Sequence, residues 1–592
     1  MRMDVKMIFS NGLYARILPV LAVSVMLLSC AAIGGNQQAA TPAPQPSATP
    51  VAVPAADTPA PVTLEQRLSG DMVYDILLGE IAGQRGAMDV SVARYMQAAG
   101  EAQDPRVAER AVQIASFAKQ YDLAIGAARR WVALDGANME ARKALTALAL
   151  QQGDLDEVIT QMDYMLINSS DPEDSFRMVT AVLARHEDKQ AAMTAVRKLV
   201  DRHPDSPHAW TSLSRLAIVA EQPDVALDAV NHALALQPGS SDIIILKAQV
   251  MVRQAQKAEA TALLGDAVSR QPNNADLRFA YGRMLLDSEN LEGAKQQFRK
   301  VVKIDPTHAD ALYSLALLEL ETGVFQSGEK HLVQLLELKQ HVQNAYYYLG
   351  YATAEQGKAQ EALDWYLKVE SGDYWSQAQL RAAGLMVKQG DFVGMQEHMR
   401  SLRQKNPQLA SQLYIIEGQA LTDAKLHMQA YSLYETALES SPDDIDLLYS
   451  YSLAAEKLDK LDVAETNLRR ILAIDPDNVR ALNAFGYTLA DRTDRHQEAL
   501  QYISKAYAKE PDDPAIIDSM GWVHFRMGDL DKAREYLQRA WEMSSDSEIG
   551  AHFGEVLWMR GEHAAAKEVW NSSREATPDN PVLLEVINRL NP

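Results

Sequence analysis

Few side chains in this sequence could do covalent or metal chemistry, and they form no known catalytic motif. The chain has one cysteine and 13 histidines, and it lacks the patterns GxxxxGK[ST], GxGxxG, HExxH and GxSxG, which mark nucleotide, zinc and nucleophile sites. The paired carboxylates at 443–444 and 512–513 follow prolines, where Asp favours the start of a helix. The sequence therefore predicts a protein that is not an enzyme and that holds no metal. A serine–lysine pair, which has no local signature, is left open.

The single cysteine, Cys30, stands at the end of a secretory signal. Three basic residues in the first 16 positions precede an apolar run from 17 to 28, which is too short for a membrane span. Residues 27–30, LLSC, resemble a bacterial lipobox. That resemblance implies cleavage before Cys30 and attachment of three acyl chains to it, which suffices for stable anchoring. Ala31, rather than Asp, follows the cysteine. In the enterobacterial sorting pattern for lipoproteins this implies the outer membrane, with the protein facing the periplasm.

Residues 31–62, which follow the cysteine, read as a tether. They contain many Pro and Ala residues, no aromatic residue and no helical periodicity. Such a composition buries too little surface to fold and favours extended polyproline II. We therefore divide the chain into a signal (1–29), a lipidated cysteine with its disordered tether (30–62), a folded array (63–578) and a terminal helix (579–592).

The folded part repeats with a period of about 34 residues, which is a period typical of helical-hairpin repeats. Prolines at 204, 238, 272 and 306 stand one period apart, and others follow at 407, 442, 476, 511 and 578. Each repeat, such as 275–306, holds two helical patterns split by a polar turn, and the closing proline ends the second helix. This period is the signature of a tetratricopeptide (TPR) array. It predicts an all-α TPR solenoid, a superhelix of about fifteen helical hairpins with a C-terminal capping helix.

The period also predicts where each hairpin begins and where its two helices touch. Small residues stand at the predicted contact positions of both helices, for example Gly350 with Ala362 and Gly521 with Ala533. The predicted hairpin starts lie near Met72, Pro105, Met139, Glu173, Pro207, Ser241, Ala275, Ala309, Gln343, Ser376, Ser411, Ile445, Val479, Pro514 and Ser547.

The first helix of each hairpin lines the concave wall of such a superhelix. Aromatic residues, arginines and carboxylates on one wall suit the capture of a protein or peptide, since such anchors dominate binding energy. Packing between neighbouring helices is the alternative for any one of them. The candidate wall residues are Phe279, Arg283, Tyr313, Tyr347, Tyr351, Tyr449, Asn483, Tyr487, Trp522, Phe525, Arg526, Glu555 and Trp558.

Composition and charge narrow the classes of partner. With 47% hydrophobic and 23% charged residues, the chain has the composition of a folded protein. Its net charge of −22 argues against nucleic acid, because nucleic-acid binding relies on clustered Lys and Arg. Proteins and the membrane, reached through the lipid, remain as partners.

Several local motifs resemble one bacterial family. Residues 484–570 contain GYTLAD, DSMGW and GEVLW, and residues 104–115 read DPRVAERAVQIA. In these motifs, in the lipobox and in its length, the chain resembles a proteobacterial family of long TPR outer-membrane lipoproteins. The resemblance implies a non-enzymatic adaptor for a periplasmic carboxyl-terminal processing protease, whose substrates are peptidoglycan cross-link hydrolases. No motif assigns the residues that contact the protease.

Two other functions fit the same fold, because function lies in the surface rather than in the solenoid. TPR lipoproteins also serve as structural scaffolds for outer-membrane, pilus or exopolysaccharide export assembly. The aromatic residues of the predicted wall would also fit a glycan-binding or glycan-cleaving protein.

Overall fold

The computed structural model describes residues 69–168, 176–177, 180–181, 183–184 and 188–590. Every regular element in those ranges is helical, and they contain no strand. The protein is an all-α TPR solenoid, as the sequence predicts. The predicted signal, Cys30, the predicted tether and the predicted hairpin start near Glu173 lie outside the described residues.

The described ranges contain 30 α-helices, together with one 3-10 turn at Pro407–Leu409. In chain order the helices are α1 (Gly70–Gln84), α2 (Met88–Glu101), α3 (Pro105–Phe117), α4 (Tyr121–Leu134), α5 (Met139–Gln151), α6 (Leu155–Asn168), α7 (Lys189–Arg202), α8 (Pro207–Val219), α9 (Pro223–Leu236), α10 (Ser241–Arg253), α11 (Lys257–Arg270), α12 (Ala275–Asp287), α13 (Leu291–Ile304), α14 (Ala309–Glu321), α15 (Phe325–Glu337), α16 (Val342–Glu355), α17 (Ala359–Tyr366), α18 (Trp375–Lys388), α19 (Phe392–Lys405), α20 (Ala410–Asp423), α21 (His427–Ser440), α22 (Ile445–Lys457), α23 (Leu461–Ile474), α24 (Val479–Arg492), α25 (His496–Lys509), α26 (Pro514–Arg526), α27 (Leu530–Met543), α28 (Ser547–Met559), α29 (His563–Ala576) and α30 (Pro581–Leu590).

Side-chain caps set most of the hairpin starts. Asn274, for example, accepts a hydrogen bond from the backbone N–H of Leu277 at 2.9 Å, so α12 begins at Ala275 as the period predicts. Ten of the first helices begin at the predicted residue, and those at Gly70, Val342, Trp375 and Ala410 begin one or two residues earlier than predicted. Three of these four helices, α16, α18 and α20, have no side-chain hydrogen bond that caps their first turn.

The helices group into two compact units, the first ending at Thr322 and the second beginning at Gly323. Within each unit, every described helix packs against the next one along the chain. In the first unit one continuous hydrophobic core extends from Met72 to Val250. In a solenoid each helix buries its apolar surface against its neighbours, so the core grows along the array as repeats are added.

The two helices of a hairpin approach each other closely at a glycine of the first helix, as predicted. The side chain that the glycine touches is not that of the predicted alanine. A Cβ added at Gly521 would lie 2.5 Å from Leu537 Cγ, and one at Gly350 would lie 2.7 Å from the Tyr366 ring. Each of these contacts is with the large side chain one turn after the alanine. The alanine itself is buried and brings its backbone close, as Ala533 does with its carbonyl oxygen.

Helix α30 covers the end of the second unit. It packs on α28 and α29, and its Leu583 and Val586 are buried in a cluster with Phe553 and Trp570. An amphipathic helix at this place shields the apolar face that the last hairpin would otherwise expose.

Candidate protein-binding surfaces

The first unit contains a groove lined by three consecutive first helices, α8, α10 and α12. Its volume is about 380 Å³, which is in the range of ligand pockets. Ile218, Ile245 and Val252 contribute to an apolar lining, and Arg283 is the one predicted wall residue that lines it. The groove therefore lies on the helices that the sequence assigned to the concave wall.

The other two predicted wall residues of the first unit do not line this groove. The Phe279 ring packs between Phe298 and His308, with ring centroids 5.5 and 4.8 Å away. Tyr313, in α14, is buried. Helix packing is the observed role of both rings.

Sequence reasoning missed the polar side chains that accompany Arg283 in the groove. Arg215 and Gln249 also line it, and they stand two periods and one period before Arg283 in the sequence. All three occupy the same position in consecutive first helices, so the array repeats a hydrogen-bond donor along one face. Their spacing by whole repeats was the available signal, and the sequence analysis, which selected Arg283 but neither Arg215 nor Gln249, did not use it.

Tyr347 and Tyr351, in α16, belong to an aromatic cluster of the second unit. Tyr347 is buried, stacks on Tyr374 with centroids 4.6 Å apart and donates a hydrogen bond to Gln377 Oε1 at 2.9 Å. Tyr351 is half-buried, with the Arg381 guanidinium 5.9 Å from its ring centroid. The cluster joins adjacent hairpins and leaves little of the Tyr347 ring for a partner.

Tyr449 and Asn483 stand on consecutive first helices, α22 and α24. The Arg480 guanidinium lies 4.3 Å from the Tyr449 ring centroid, a favourable cation–π distance. Asn483 is half-buried, and its Oδ1 atom is buried without a hydrogen-bond partner in the described part of the chain.

Trp522, Phe525 and Arg526 come together around Asp491. Trp522 Nε1 donates to Asp491 Oδ1 at 3.1 Å, and Arg526 Nη1 lies 3.5 Å from the same oxygen. The Phe525 ring centroid is 5.0 Å from that of Trp522. Asp491 closes the GYTLAD motif, so two of the motifs that carry the family resemblance meet here.

A buried histidine, which the sequence analysis did not single out, completes this cluster. His552 is 2% exposed and Asp518 is 6% exposed, and His552 Nδ1 lies 2.9 Å from Asp518 Oδ2. The imidazole stacks on Trp522 at 4.2 Å, and its Nε2 lies 3.4 Å from the Tyr487 hydroxyl. Burial raises the pKa of Tyr487, which keeps that hydroxyl protonated.

Glu555 and Trp558, in α28, contact the helices that end the array. Glu555 is buried and accepts a hydrogen bond from Arg589 Nη2 at 2.7 Å. Trp558 is half-buried between His563 and Trp570, with ring centroids 4.2 and 5.6 Å away. These contacts attach α29 and α30 to α28, which is the first helix of the last hairpin.

The described residues include no group of His, Cys, Asp and Glu side chains arranged to hold a metal ion. Among the helices that the structure describes, none has both the length and the apolar character needed to cross a bilayer.

Three family profiles match this chain. A profile described as the cytochrome c-type biogenesis protein H TPR domain matches residues 180–280, the region that holds much of the groove. Two tetratricopeptide repeat profiles match residues 252–318 with 493–551, and 313–377 with 449–514. TPR arrays are protein-interaction scaffolds, and these matches give the chain that general role.

Solved TPR structures resemble the chain in part. A chain of the APC/C hetero-tetramer Cut9-Hcn1 is 13% identical, and the match covers 88% of this chain and 97% of that one, with a TM-score of 0.32. A thermophilic TPR protein of Thermus thermophilus is 22% identical over 31% of this chain and 97% of its own, with a TM-score of 0.28. At these TM-scores, neither structure informs the function of this chain.

Two curated relatives are also TPR proteins. A TPR repeat-containing protein of Dictyostelium discoideum is 31% identical over 109 residues, which is 17% of this chain and 41% of that protein. A TPR repeat-containing protein of Pseudomonas aeruginosa is 34% identical over 538 residues, 91% of this chain and 90% of that protein. Because this second match spans nearly the whole of both proteins, the chain belongs to the family of TPR repeat-containing proteins.

Proposed function

We propose that this protein is a non-enzymatic adaptor that holds a protease and the protease's substrates on one scaffold. The observation that carries the proposal is the groove in the first unit, which three consecutive first helices line with apolar side chains and arginines. Such a groove can bury a segment of a partner protein and orient it by hydrogen bonds. It supplies contact area and position rather than a reacting group.

The resemblance of residues 484–570 to the proteobacterial TPR lipoproteins supports the choice of protease. The proposed partner is a periplasmic carboxyl-terminal processing serine protease, and the proposed substrates are peptidoglycan cross-link hydrolases. Binding both on one array raises the concentration of substrate at the protease, which accelerates proteolysis without a catalytic group from the adaptor.

The proposed site of action is the periplasmic face of the outer membrane. A lipid on Cys30 would hold the chain there, and an extended tether of residues 31–62 could reach about 100 Å at about 3.1 Å per residue. The adaptor could then reach partners at this distance from the membrane while it stays attached.

Co-elution tests the adaptor function. The full-length chain and the purified carboxyl-terminal processing protease are expected to elute together from a size-exclusion column, ahead of either protein alone. Separate elution would reject the proposal. If pilus or export subunits were then captured from a periplasmic extract, the function would move to an assembly scaffold.

The variant Cys30→Ser tests the lipid anchor. It is expected to abolish labelling by radioactive palmitate and to leave a precursor that retains its signal, because serine offers no thiol for acylation. Labelling and processing are measured on gels, with wild-type protein as the control. Continued labelling of the variant would disprove lipidation at this residue.

A further inference from the structure

We propose that the groove of the first unit binds an extended segment of a partner protein that carries apolar side chains between two carboxylates. This inference rests on the proposed function, since it names the chemistry of the partner segment that the adaptor would take. The segment is expected to cross α8, α10 and α12 and to place its carboxylates beside Arg215 and Arg283.

The apolar lining explains the middle of the segment. Ile245, Leu246 and Val252 of α10, the middle one of the three helices in the sequence, line the groove together with Val219 of α8 and Met284 of α12. Aliphatic side chains gain free energy when they leave water for such a surface. A polar segment would gain nothing from this lining.

The donors explain the two ends. Arg215 of α8, Gln249 of α10 and Arg283 of α12 all line the groove, one on each of three consecutive first helices. A guanidinium pairs with a carboxylate through two parallel hydrogen bonds, and an amide can hydrogen-bond the backbone of the segment. The repeat thus places a donor on each of the three helices.

The spacing of the helices sets the length of the segment. Packed helices lie about 8–10 Å apart, so three neighbouring helices span roughly 20 Å. An extended chain advances about 3.3 Å per residue, so about six residues cross the groove.

The local charge favours an acidic segment. Arg215, Arg253 and Arg283 line the groove together with Glu221 and Asp287, so three positive and two negative charges give +1. The whole chain has a charge of −22. A carboxylate is therefore repelled by most of the protein and attracted at this groove, which gives the segment a preferred place to bind.

Peptide binding to the full chain tests the inference. The probe is a fluorescein-labelled hexapeptide with glutamate at both ends and leucine and alanine between, measured by fluorescence polarisation. Two matched peptides replace the glutamates by lysine or the leucines by serine. We expect binding of the glutamate–leucine peptide that weakens as salt is raised, and at least about tenfold weaker binding of each matched peptide.

The double variant Arg215→Glu with Arg283→Glu locates the site. It is expected to weaken binding of the glutamate–leucine peptide by about tenfold or more, since repulsion replaces two charged hydrogen bonds. The control is Arg270→Glu with Lys303→Glu, which makes the same charge change at exposed residues of the second helices α11 and α13. The control is expected to bind within about twofold of wild type, a shift of only a few tenths of a kcal/mol.

Three results would overturn the inference: no binding of the glutamate–leucine peptide, equal binding of the lysine peptide, or equal loss in both double variants. The outcome is separate from that of the proposed function. Peptide binding without protease co-elution would keep the groove and reject the adaptor. Co-elution without peptide binding would reject only the assignment of this groove.

Discussion

Replacing Asp518 by alanine is expected to lower the free energy of unfolding of the C-terminal repeats by about 3–5 kcal/mol. Asp518 and His552 are both buried, with 2.9 Å between Oδ2 and Nδ1, and removing one member of a buried, hydrogen-bonded pair leaves the other without its partner. Urea unfolding followed by circular dichroism measures the loss.

The control for this variant is Asp531→Ala. Asp531 also pairs with a cation, the Arg560 guanidinium, but its side chain is 89% exposed. An exposed pair contributes about 0–1 kcal/mol, so this variant is expected to unfold close to wild type. Equal losses in the two alanine variants would contradict the account of the buried pair.

The same pair gives a pH dependence with a definite sign. Burial alone lowers the pKa of His552, but the charge of Asp518 and its hydrogen bond outweigh burial, and Glu548 and Asp491 act in the same direction, so the pKa is raised. A raised pKa means that the protonated pair stabilises the fold fully below the unfolded pKa of about 6.5. That stability is lost as the pH rises through the folded value. The stability difference between wild type and His552→Gln should therefore shrink above about pH 6.5, and a constant difference would contradict this.

Replacing Gly521 by leucine is expected to cost about 1–3 kcal/mol or more by overpacking the contact between α26 and α27. The added Cβ would lie 2.5 Å from Leu537 Cγ and 3.2 Å from the Ala533 carbonyl oxygen, so side chain and backbone would both have to move. The melting temperature measures the effect.

Gly384→Ala is the matched control, because nothing lies within 4 Å of a Cβ added there. Alanine in a helix is favoured over glycine, so this variant is expected to gain about 0.4–1 kcal/mol. If Gly521→Leu melts like wild type, the close approach at Gly521 is wrong.

The repeat starts could be predicted because their signals are local. A capping residue such as Asn274 or Asp513 and a proline such as Pro514 act within one turn of the helix end, and capping residues recur in most repeats. The predictions at Gln343 and Ser411 missed by one residue, where no capping side chain is present.

The wall residues were harder to predict because the period identifies the helix but not the neighbour that covers a side chain. Tyr313 and Trp522 occupy first helices as expected, yet adjacent packing buries both. The groove was instead lined by aliphatic residues and by a row of donors one repeat apart. A search for polar residues that stand one repeat apart would also have found the buried pair, since Asp518 stands one period before His552 in the sequence.

The rate at which a purified carboxyl-terminal processing protease degrades a purified peptidoglycan cross-link hydrolase, with and without this chain, tests the central claim most directly. The adaptor account predicts that the full-length chain raises the rate by about tenfold or more at low protein concentrations, because it brings protease and substrate together. The chain alone should leave the hydrolase intact. A rate that is unchanged by this chain, as with serum albumin at the same concentration, would contradict the account.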